Sequence, residues 1–276
     1  MQTDYCHGSA WVQEGRQVMA EMDQELRLSV MTLNLRFGRA DDGPNSWENR
    51  KERYVSFFQD HRPDFFGMQE ANGFQIDFLR RQLAEYDCIG RRVPSPPYWQ
   101  DNIIFHKKEW VCSGFERFFF SHTPMIPSRF QDSKWPRQCI LGNFQKSGKS
   151  VMFLNTHFDF LPSVQEQSAK MIVEKLSEYD DPGASVLITG DFNALPDSPG
   201  YREFTTRGNF KEVFSGEYSG TYHDFTGTHT GRHIDWILYR GPMELVSRRM
   251  VVDPYQGGYL SDHFPVLAEF RIGAEK

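Results

Sequence analysis

The chain alternates between short apolar segments and longer segments in which apolar residues recur every three or four positions. Seven of the short segments are rich in Val, Ile, Phe and Thr and are bounded by Gly, Pro, Asp or Asn, which predicts β-strands. They are Leu28–Leu33, Asp64–Gln69, Asn102–His106, Val151–Thr156, Ser185–Gly190, Ile234–Tyr239 and Phe264–Phe270. Residues 186–188 are apolar on both faces, which is typical of a strand covered by a layer on each side.

Helices are predicted between these strands. Residue pairs with the spacing of helix N-terminal signals mark three starts: Asn45 with Glu48, Ser163 with Glu166, and Ser198 with Pro199. A further helix is expected over residues 73–83. Strands that alternate with helices favour an α/β fold. Several strand-to-strand steps after Val151 contain little helix, so we expect mixed sheets with antiparallel pairs.

Polar side chains with catalytic chemistry lie directly at the ends of these strands. They are Asn34, Glu70, His157, Asp191, Asn193, Asp235, Asp262 and His263. Each one alone is explained by turn formation, helix capping or an ordinary structural hydrogen bond. In an antiparallel pair, however, the end of one strand adjoins the start of its neighbour. We therefore expect all eight to gather at one edge of the sheets.

Composition and charge narrow the class of protein. The 276 residues are 39% hydrophobic and carry a formal charge of −6, as in ordinary soluble globular proteins. The acidic balance argues against tight, sequence-independent binding of duplex nucleic acid, which needs a basic face. No apolar run reaches the length of a membrane span, and residues 1–26 hold no signal peptide, so we expect a cytoplasmic protein without membrane insertion.

Six segments in one order carry a family resemblance: 32–34, 68–70, 155–157, 190–193, 234–236 and 261–263. The chain resembles the endonuclease/exonuclease/phosphatase superfamily, whose members have the fold of pancreatic deoxyribonuclease. Gly-Asp-Phe-Asn (190–193) and Ser-Asp-His (261–263) are the most specific pieces. Residues 43–50 and 232–236 are similar to a prokaryotic branch of undefined substrate. In abasic-site endonucleases a carboxylate stands two residues after the first Asn; here Arg36 stands there, which argues against that activity.

The resemblance runs from about Leu28 to Phe270 and implies a fold. The expected architecture is a four-layer α/β/β/α sandwich, with two packed mixed β-sheets flanked by helices. Residues 27–273 are expected to form a single catalytic domain, and residues 1–26 an N-terminal arm or short helix. We also expect a monomer.

The implied activity is Mg-dependent hydrolysis of a phosphoester, by a phosphodiesterase or a phosphatase that activates a water molecule; Mn is the alternative metal. Carboxylate and amide oxygens suit such hard cations. The resemblance implies Glu70 as the first metal ligand, and Asn34 and Asp262 complete or orient the metal's ligand shell. Whether one or two metals act stays open.

Five residues are predicted to carry the chemistry. His263 acts on the attacking water, and Asp235 hydrogen-bonds its other ring nitrogen. His157 donates to the phosphate or the leaving oxygen. Asp191 positions the water, and Asn193 donates to a phosphoryl oxygen. Which of Asp191 and His263 takes the water's proton stays open.

Arg36, Arg137 and Trp47 are candidates for binding the substrate, by contacting a phosphate or stacking on a base or sugar. The alternative for Arg137, which follows Trp135 and Pro136, is a surface ion pair. The expected partner is a phosphorylated small molecule or a nucleic-acid end. A nuclease that acts on DNA or RNA is the main alternative. A binding protein without catalysis, on the same scaffold, is a third reading.

Overall fold

A computed structural model describes residues 25–179 and 184–273. The predicted N-terminal arm therefore lies, up to residue 24, outside the described residues. The described residues form two six-stranded sheets. The first contains β1 (Leu26–Asn34), β2 (Phe65–Ala71), β3 (Tyr86–Ile89), β4 (Asp101–Lys107), β11 (Met243–Met250) and β12 (Val266–Ile272). The second contains β5 (Val111–Phe119), β6 (Gln138–Lys146), β7 (Lys149–His157), β8 (Ser185–Asp191), β9 (Lys211–Glu212) and β10 (Asp235–Arg240).

The two sheets share a plan of strand pairing. The order is β11-β12-β1-β2-β4-β3 in the first sheet and β5-β6-β7-β8-β10-β9 in the second. The pair β1–β2 is parallel, as is the pair β7–β8, and the neighbouring pairs are antiparallel. Both sheets are therefore mixed, as predicted. Five strands were not predicted, because β3, β5, β9 and β11 are short or largely exposed and β6 interleaves polar residues with apolar ones.

Helices cover the outer faces of the sheets. They are α1 (Trp47–His61), α2 (Gly73–Gln82), α3 (Pro162–Ser177) and α4 (Pro199–Arg202), with a 3-10 turn at Gly43–Asn45 and a π turn at Glu203–Arg207. One buried cluster packs α1 and α2 on the first sheet, and another packs α3 on the second. A third lies between the sheets, where the rings of Phe65 and Phe153 stack at 5.2 Å. These layers confirm the predicted α/β/β/α sandwich.

Two of the predicted helix starts were wrong in their capping. The N-cap of α1 is Ser46, which makes no side-chain cap bond, because Asn45 is taken up by the preceding 3-10 turn. Helix α3 begins at Pro162, which fixes the backbone for a first turn, so Ser163 lies inside the helix. The third start is confirmed, since Ser198 Oγ accepts from the N–H of Tyr201 at 3.2 Å.

A small polar layer joins the sheets just below the edge where β2, β7 and β8 end. Asn155 on β7 donates to the carbonyls of Met68 and Ile103 in the first sheet, each at 2.8 Å. Its Oδ1 accepts from Gln69 Nε2 at 2.7 Å. The sheets are close here because Gly67 has no side chain: a Cβ at that position would lie 2.6 Å from Asn155 Oδ1. The Asn155 amide is thus fully paired, as buried polar groups usually are, whereas Gln69 Oε1 has no partner among the described residues.

Candidate active site

Three strands of the second sheet align a row of side chains that the sequence predicts to be catalytic. His157 ends β7 and lies in register with Asp191, which ends β8. Asp191 is in register with Asp235, the first residue of β10. Because adjacent strands place paired residues side by side, the three side chains form one line across the sheet edge. All three are buried.

His263 completes this row from the segment that leads into β12. It forms an isolated bridge with Tyr222, and its ring lies 5.1 Å from the Tyr222 ring. The predicted hydrogen bond is present: His263 Nδ1 lies 2.8 Å from Asp235 Oδ2. On the other side of the ring, Nε2 lies 3.8 Å from Asp191 Oδ2. The backbone N–H of Asp235 is itself fixed by Thr221 Oγ1 at 3.1 Å.

Asn193 joins His157 to the same carboxylate. Its backbone N–H donates to Asp191 Oδ1 at 2.9 Å, and its Nδ2 lies 3.1 Å from His157 Nε2. The same amide nitrogen donates to the carbonyl of Phe158 at 3.1 Å, so we assign His157 Nε2 as the acceptor. His157 Nε2 also lies 3.4 Å from Asp191 Oδ2. We call His157, Asp191, Asn193, Asp235 and His263 the catalytic cluster.

Burial and neighbouring charges shift the titration of this cluster. Burial, helped by the Arg137 guanidinium, lowers the pKa of His157 well below its usual value, so this ring is neutral. Burial raises the pKa of Asp191 to about 7, against the opposing effect of His263. Burial alone would lower the pKa of His263, but Asp235 and Asp191 outweigh it and raise that pKa to about 10. His263 is therefore the cation of the cluster.

The first sheet supplies an oxygen-rich group beside the cluster. Asn34 ends β1 and reaches across to the second sheet, where its Nδ2 donates to Asp191 Oδ2 at 3.0 Å. Its Oδ1 accepts from the N–H of Arg36 at 2.9 Å. Glu70, near the end of β2, accepts from the N–H of Phe37 at 2.7 Å through Oε2. Glu70 has a φ of 60°, which is rare for a residue with a side chain and typical of functional sites.

Arg36 and Asp262 lie on the same side. The Arg36 guanidinium makes a two-pronged contact with Asp42, at 2.8 and 3.0 Å, and lies 3.3 Å from Asp262 Oδ2. Asp262 Oδ1 accepts from Ser261 Oγ at 3.0 Å. The hydrogen bond to Asp42 raises the pKa of Arg36 above its already high value, against burial. Arg36 is therefore a fixed cation at the rim, a third of it exposed.

The other two substrate-binding candidates lie in different places. Arg137 is 9% exposed, and no carboxylate of the described residues lies within ion-pair distance of it, so it is not a surface ion pair. Its Nε has no hydrogen-bond partner there. Burial lowers the pKa of Arg137, and the negative charges of Glu70 and Asp191 oppose that effect. Trp47 is only 3% exposed and packs against Tyr54 and Phe78 in the core, so the structure does not bring it to the site.

The sequence interpretation missed a buried arginine that holds two of these segments together. Arg50 on α1 is fully buried and contacts the carbonyls of Leu35 and Leu260 through Nη1. Its Nε donates to the carbonyl of Asn45 at 2.7 Å. Leu35 follows Asn34, and Leu260 stands two residues before Asp262. The spacing of Arg50 one turn after Trp47 signals only a helix face, which is why the sequence did not reveal this contact.

Metal-binding capacity is present among the described residues. Asp191, Asp235 and His263 offer ligand atoms that lie within 4.8 Å of one another. The oxygen-rich group of Asn34, Glu70 and Asp262 lies next to them. No helix in the described part of the chain is long and apolar enough to cross a membrane.

Fold and site together define an α/β/β/α sandwich protein with a histidine–carboxylate cluster at one sheet edge. The chain belongs to the Endonuclease/Exonuclease/phosphatase family, whose model matches residues 31–263. An uncharacterised protein of Acanthamoeba polyphaga mimivirus is 24% identical over 158 residues, which cover 53% of this chain and 59% of that protein. The match thus spans little more than half of this curated relative.

Solved structures agree with this membership. A family member from Bacteroides thetaiotaomicron is 26% identical, with a TM-score of 0.85 over 92% of this chain and 98% of that one. A mannosyl-6-phosphatase of the same organism is also 26% identical, with a TM-score of 0.81 over 88% and 99%. D. rerio TDP2, in complex with a single-strand DNA product, is 16% identical with a TM-score of 0.70 over 88% and 98%, and shows likeness of fold alone.

Proposed function

We propose that this protein is a Mg-dependent phosphoester hydrolase that acts on a small phosphorylated molecule. The observation that carries the proposal is the row of His157, Asp191, Asp235 and His263, in which Asp235 is hydrogen-bonded to His263 and Asp191 lies close to both histidines, beside a buried cation, Arg137. Such a row supplies proton transfer and charge neutralisation, which are what hydrolysis of a phosphate ester needs. Membership of the family supports the same reaction class.

The donor set fits a hard divalent cation. Glu70 and Asp262 would hold it with carboxylate oxygens and Asn34 with its amide oxygen, and such oxygen ligands are those Mg²⁺ prefers. Backbone N–H groups already orient one oxygen of Glu70 and that of Asn34. When bound, the metal would polarise the phosphoryl group and neutralise part of its charge. Glu70 stands near the end of β2 on a backbone with a φ of 60°, a conformation that is costly for a residue with a side chain.

The chain's own residues divide the proton transfers. Asp191 takes a proton from the attacking water, since a carboxylate whose pKa is about 7 is a base at neutral pH. The water oxygen bonds to phosphorus as the bond from phosphorus to the leaving oxygen breaks. His263, held protonated by Asp235, gives its Nε2 proton to the leaving oxygen. His157 is neutral, so it orients Asn193 and is not the acid.

The preference for a small molecule rests on charge. The chain is acidic overall, and a site that follows a nucleic-acid backbone needs several cations in a line. The relative with a named activity at 26% identity is a mannosyl-6-phosphatase. A nuclease that acts on a DNA or RNA end is the second candidate. A nuclease would be recognised by an affinity for nucleic acid that falls steeply as the salt concentration rises.

A direct test is hydrolysis of p-nitrophenyl phosphate and bis-p-nitrophenyl phosphate with Mg²⁺, Mn²⁺ or EDTA. We expect turnover with the metals, none with EDTA, and loss of at least a hundredfold in His263→Ala. His229→Ala is the matched control, because His229 is exposed. The monoester is expected to be the better substrate. Equal rates in EDTA would contradict metal dependence, and full activity in His263→Ala would contradict the assigned site.

A further inference from the structure

An aromatic cavity opens directly beside the catalytic cluster. It has a volume of about 430 Å³, and His157 and Arg137 belong to its lining. Phe37, Trp99 and Trp135 form apolar walls. Ligand sites are commonly of this kind, mostly apolar with a few placed polar groups, and range from about 300 to 1,000 Å³. This cavity is at the small end of that range, which suits one ring rather than a polymer.

Two buried polar groups in the lining have no partner. Gln138 is 2% exposed, and its Oε1 makes no hydrogen bond among the described residues. Arg137 Nε is likewise unpaired. A buried polar atom without a partner is destabilising, so such atoms point to a ligand or water that completes them. Arg137 Nε donates, which suits a phosphate oxygen, and Gln138 Oε1 accepts, which suits a hydroxyl group.

The walls are held in place before any ligand binds. Trp99 Nε1 donates to Asp101 Oδ1 at 2.8 Å, and the Arg92 guanidinium lies 4.4 Å from the Trp99 ring. The segment that carries Trp135 is tied to the end of β7, where Asp159 Oδ2 accepts from Ser133 Oγ and from the N–H of Lys134, each at 2.8 Å. A fixed cavity loses less entropy on binding than a mobile one.

The charges of the lining favour a single phosphate. Arg137 is the one cationic residue of the lining, since His157 is neutral. The other polar side chains of the lining carry hydroxyl or carboxamide groups: Tyr98, Gln100, Asn102 and Gln138. A second phosphate, as in a nucleic-acid strand, would meet no cation there. Neutral carboxamides with both donors and acceptors suit the hydroxyls of a sugar.

We infer that this cavity binds the sugar ring of a phosphorylated monosaccharide, with the ring against Trp99 and Trp135 and a hydroxyl on Gln138. The inference rests on the proposed function, because the phosphate must then lie between Arg137 and the catalytic cluster. The sugar is the leaving group, so the cavity determines specificity. It is a binding site for substrate, whereas the cluster carries the reaction.

The test compares kcat/KM for hexose phosphates, nucleoside 5′-monophosphates and p-nitrophenyl phosphate in wild type, Trp135→Ala and Gln138→Met. We expect hexose phosphates to be the best natural substrates. Gln138→Met should reduce the ratio of kcat/KM for hexose phosphate to that for p-nitrophenyl phosphate at least tenfold, since the nitrophenyl group has no hydroxyl for Gln138. Trp135→Ala should lower kcat/KM for both substrates, because either ring can lie against Trp135. Phe115→Ala is the matched control, because Phe115 is 52% exposed outside the cavity and Trp135 is 51% exposed.

The outcomes separate the two proposals. If nucleoside monophosphates are preferred, or if the ratio is unchanged in Gln138→Met, the sugar site is wrong while the hydrolase proposal stands. If no ester is turned over, the hydrolase proposal fails, and binding alone then tests the cavity. In metal-free protein, a saturable change of tryptophan fluorescence with hexose 6-phosphate, weakened in Gln138→Met, would support the sugar site. No change would overturn it.

Discussion

The catalytic cluster and the aromatic cavity adjoin each other but differ in how far their polar side chains contact one another. Side chains of the cluster contact one another, as with His263 Nδ1 and Asp235 Oδ2 at 2.8 Å, and Asp235 Oδ1 is the one cluster oxygen among the buried atoms without a partner in the described residues. The cavity instead keeps Arg137 Nε and Gln138 Oε1 unpaired. Buried groups are normally paired, so the two unpaired atoms of the cavity lining mark where a bound ligand would complete the protein. The catalytic geometry is set before substrate arrives, whereas the cavity is completed by it.

The largest expected effect comes from breaking the cluster. In Asp235→Asn the ring of His263 loses its charged partner and its fixed tautomer, so we expect kcat to fall on the order of 1,000-fold. Turnover of p-nitrophenyl phosphate with Mg²⁺ measures it. Asp253→Asn, an exposed position, is the control and should match wild type. A loss of less than tenfold in Asp235→Asn would mean that the pair does not act in the reaction.

A second prediction compares Asn155, whose amide is fully paired, with Gln138, whose amide oxygen has no partner. Asn155→Met leaves the carbonyls of Met68 and Ile103 without donors, and we expect a loss of about 3 kcal/mol in the free energy of unfolding. Gln138→Met removes one donated bond, to the carbonyl of Gln100 at 3.2 Å, and an oxygen that is already unpaired. Its cost should be about 1 kcal/mol or less. Urea unfolding measures both, and equal costs would contradict the contrast.

A third prediction concerns pH. Burial raises the pKa of Asp191 to about 7, and the base must be deprotonated, so activity should fall about tenfold per pH unit below that value. Asp235 and Asp191 raise the pKa of His263 to about 10, and the acid must be protonated, so activity should fall again above it. The profile of kcat/KM against pH should be a broad bell. A profile without a fall below pH 7 would show that Asp191 is not the base, and one without a fall above pH 10 would show that His263 is not the acid.

The smallest effect is expected for a substitution of Arg137, which lines the aromatic cavity beside His157 of the cluster. Arg137→Lys keeps the positive charge but loses the planar fork that contacts two phosphate oxygens at once. We expect KM for the monoester to rise about five- to tenfold with kcat nearly unchanged, since the cation acts mainly in binding. Arg129→Lys, in the same irregular segment, should leave KM unchanged. A fall in kcat with constant KM would instead place Arg137 in the chemical step.

The sequence predicted the cluster far better than the cavity, for a physical reason. His157, Asp191 and Asp235 adjoin strongly apolar strands, so their place at a sheet edge follows from strand pairing. Trp99 and Trp135 belong to irregular segments without periodicity, and no sequence rule brings such segments together. Trp47 misled the prediction because its neighbours are polar, yet the first turn of α1 turns it into the core.

The unpredicted strands have a similar cause. Strand β11 alternates exposed and half-buried residues and lies at the edge of the first sheet, where few apolar residues are needed. Its position becomes clear only through its pairing with β12. Arg50 was missed because its partners are backbone carbonyls, which leave no signal in the sequence. One of them, Leu35, is nearby in the chain, and the other, Leu260, is 210 residues away.

Gly67 allows the two sheets to approach each other closely. A Cβ there would lie 2.2 Å from Thr189 Oγ1 and 2.6 Å from Asn155 Oδ1, so any larger residue must displace these side chains of the opposite sheet or the sheet itself. Glu70 stands three residues further along β2, while His157 and Asp191 stand two residues beyond Asn155 and Thr189 on the opposite sheet. The gap across which the two halves of the active site face each other is therefore set by a residue without a side chain. A position that takes no part in the chemistry thus fixes the width of the site.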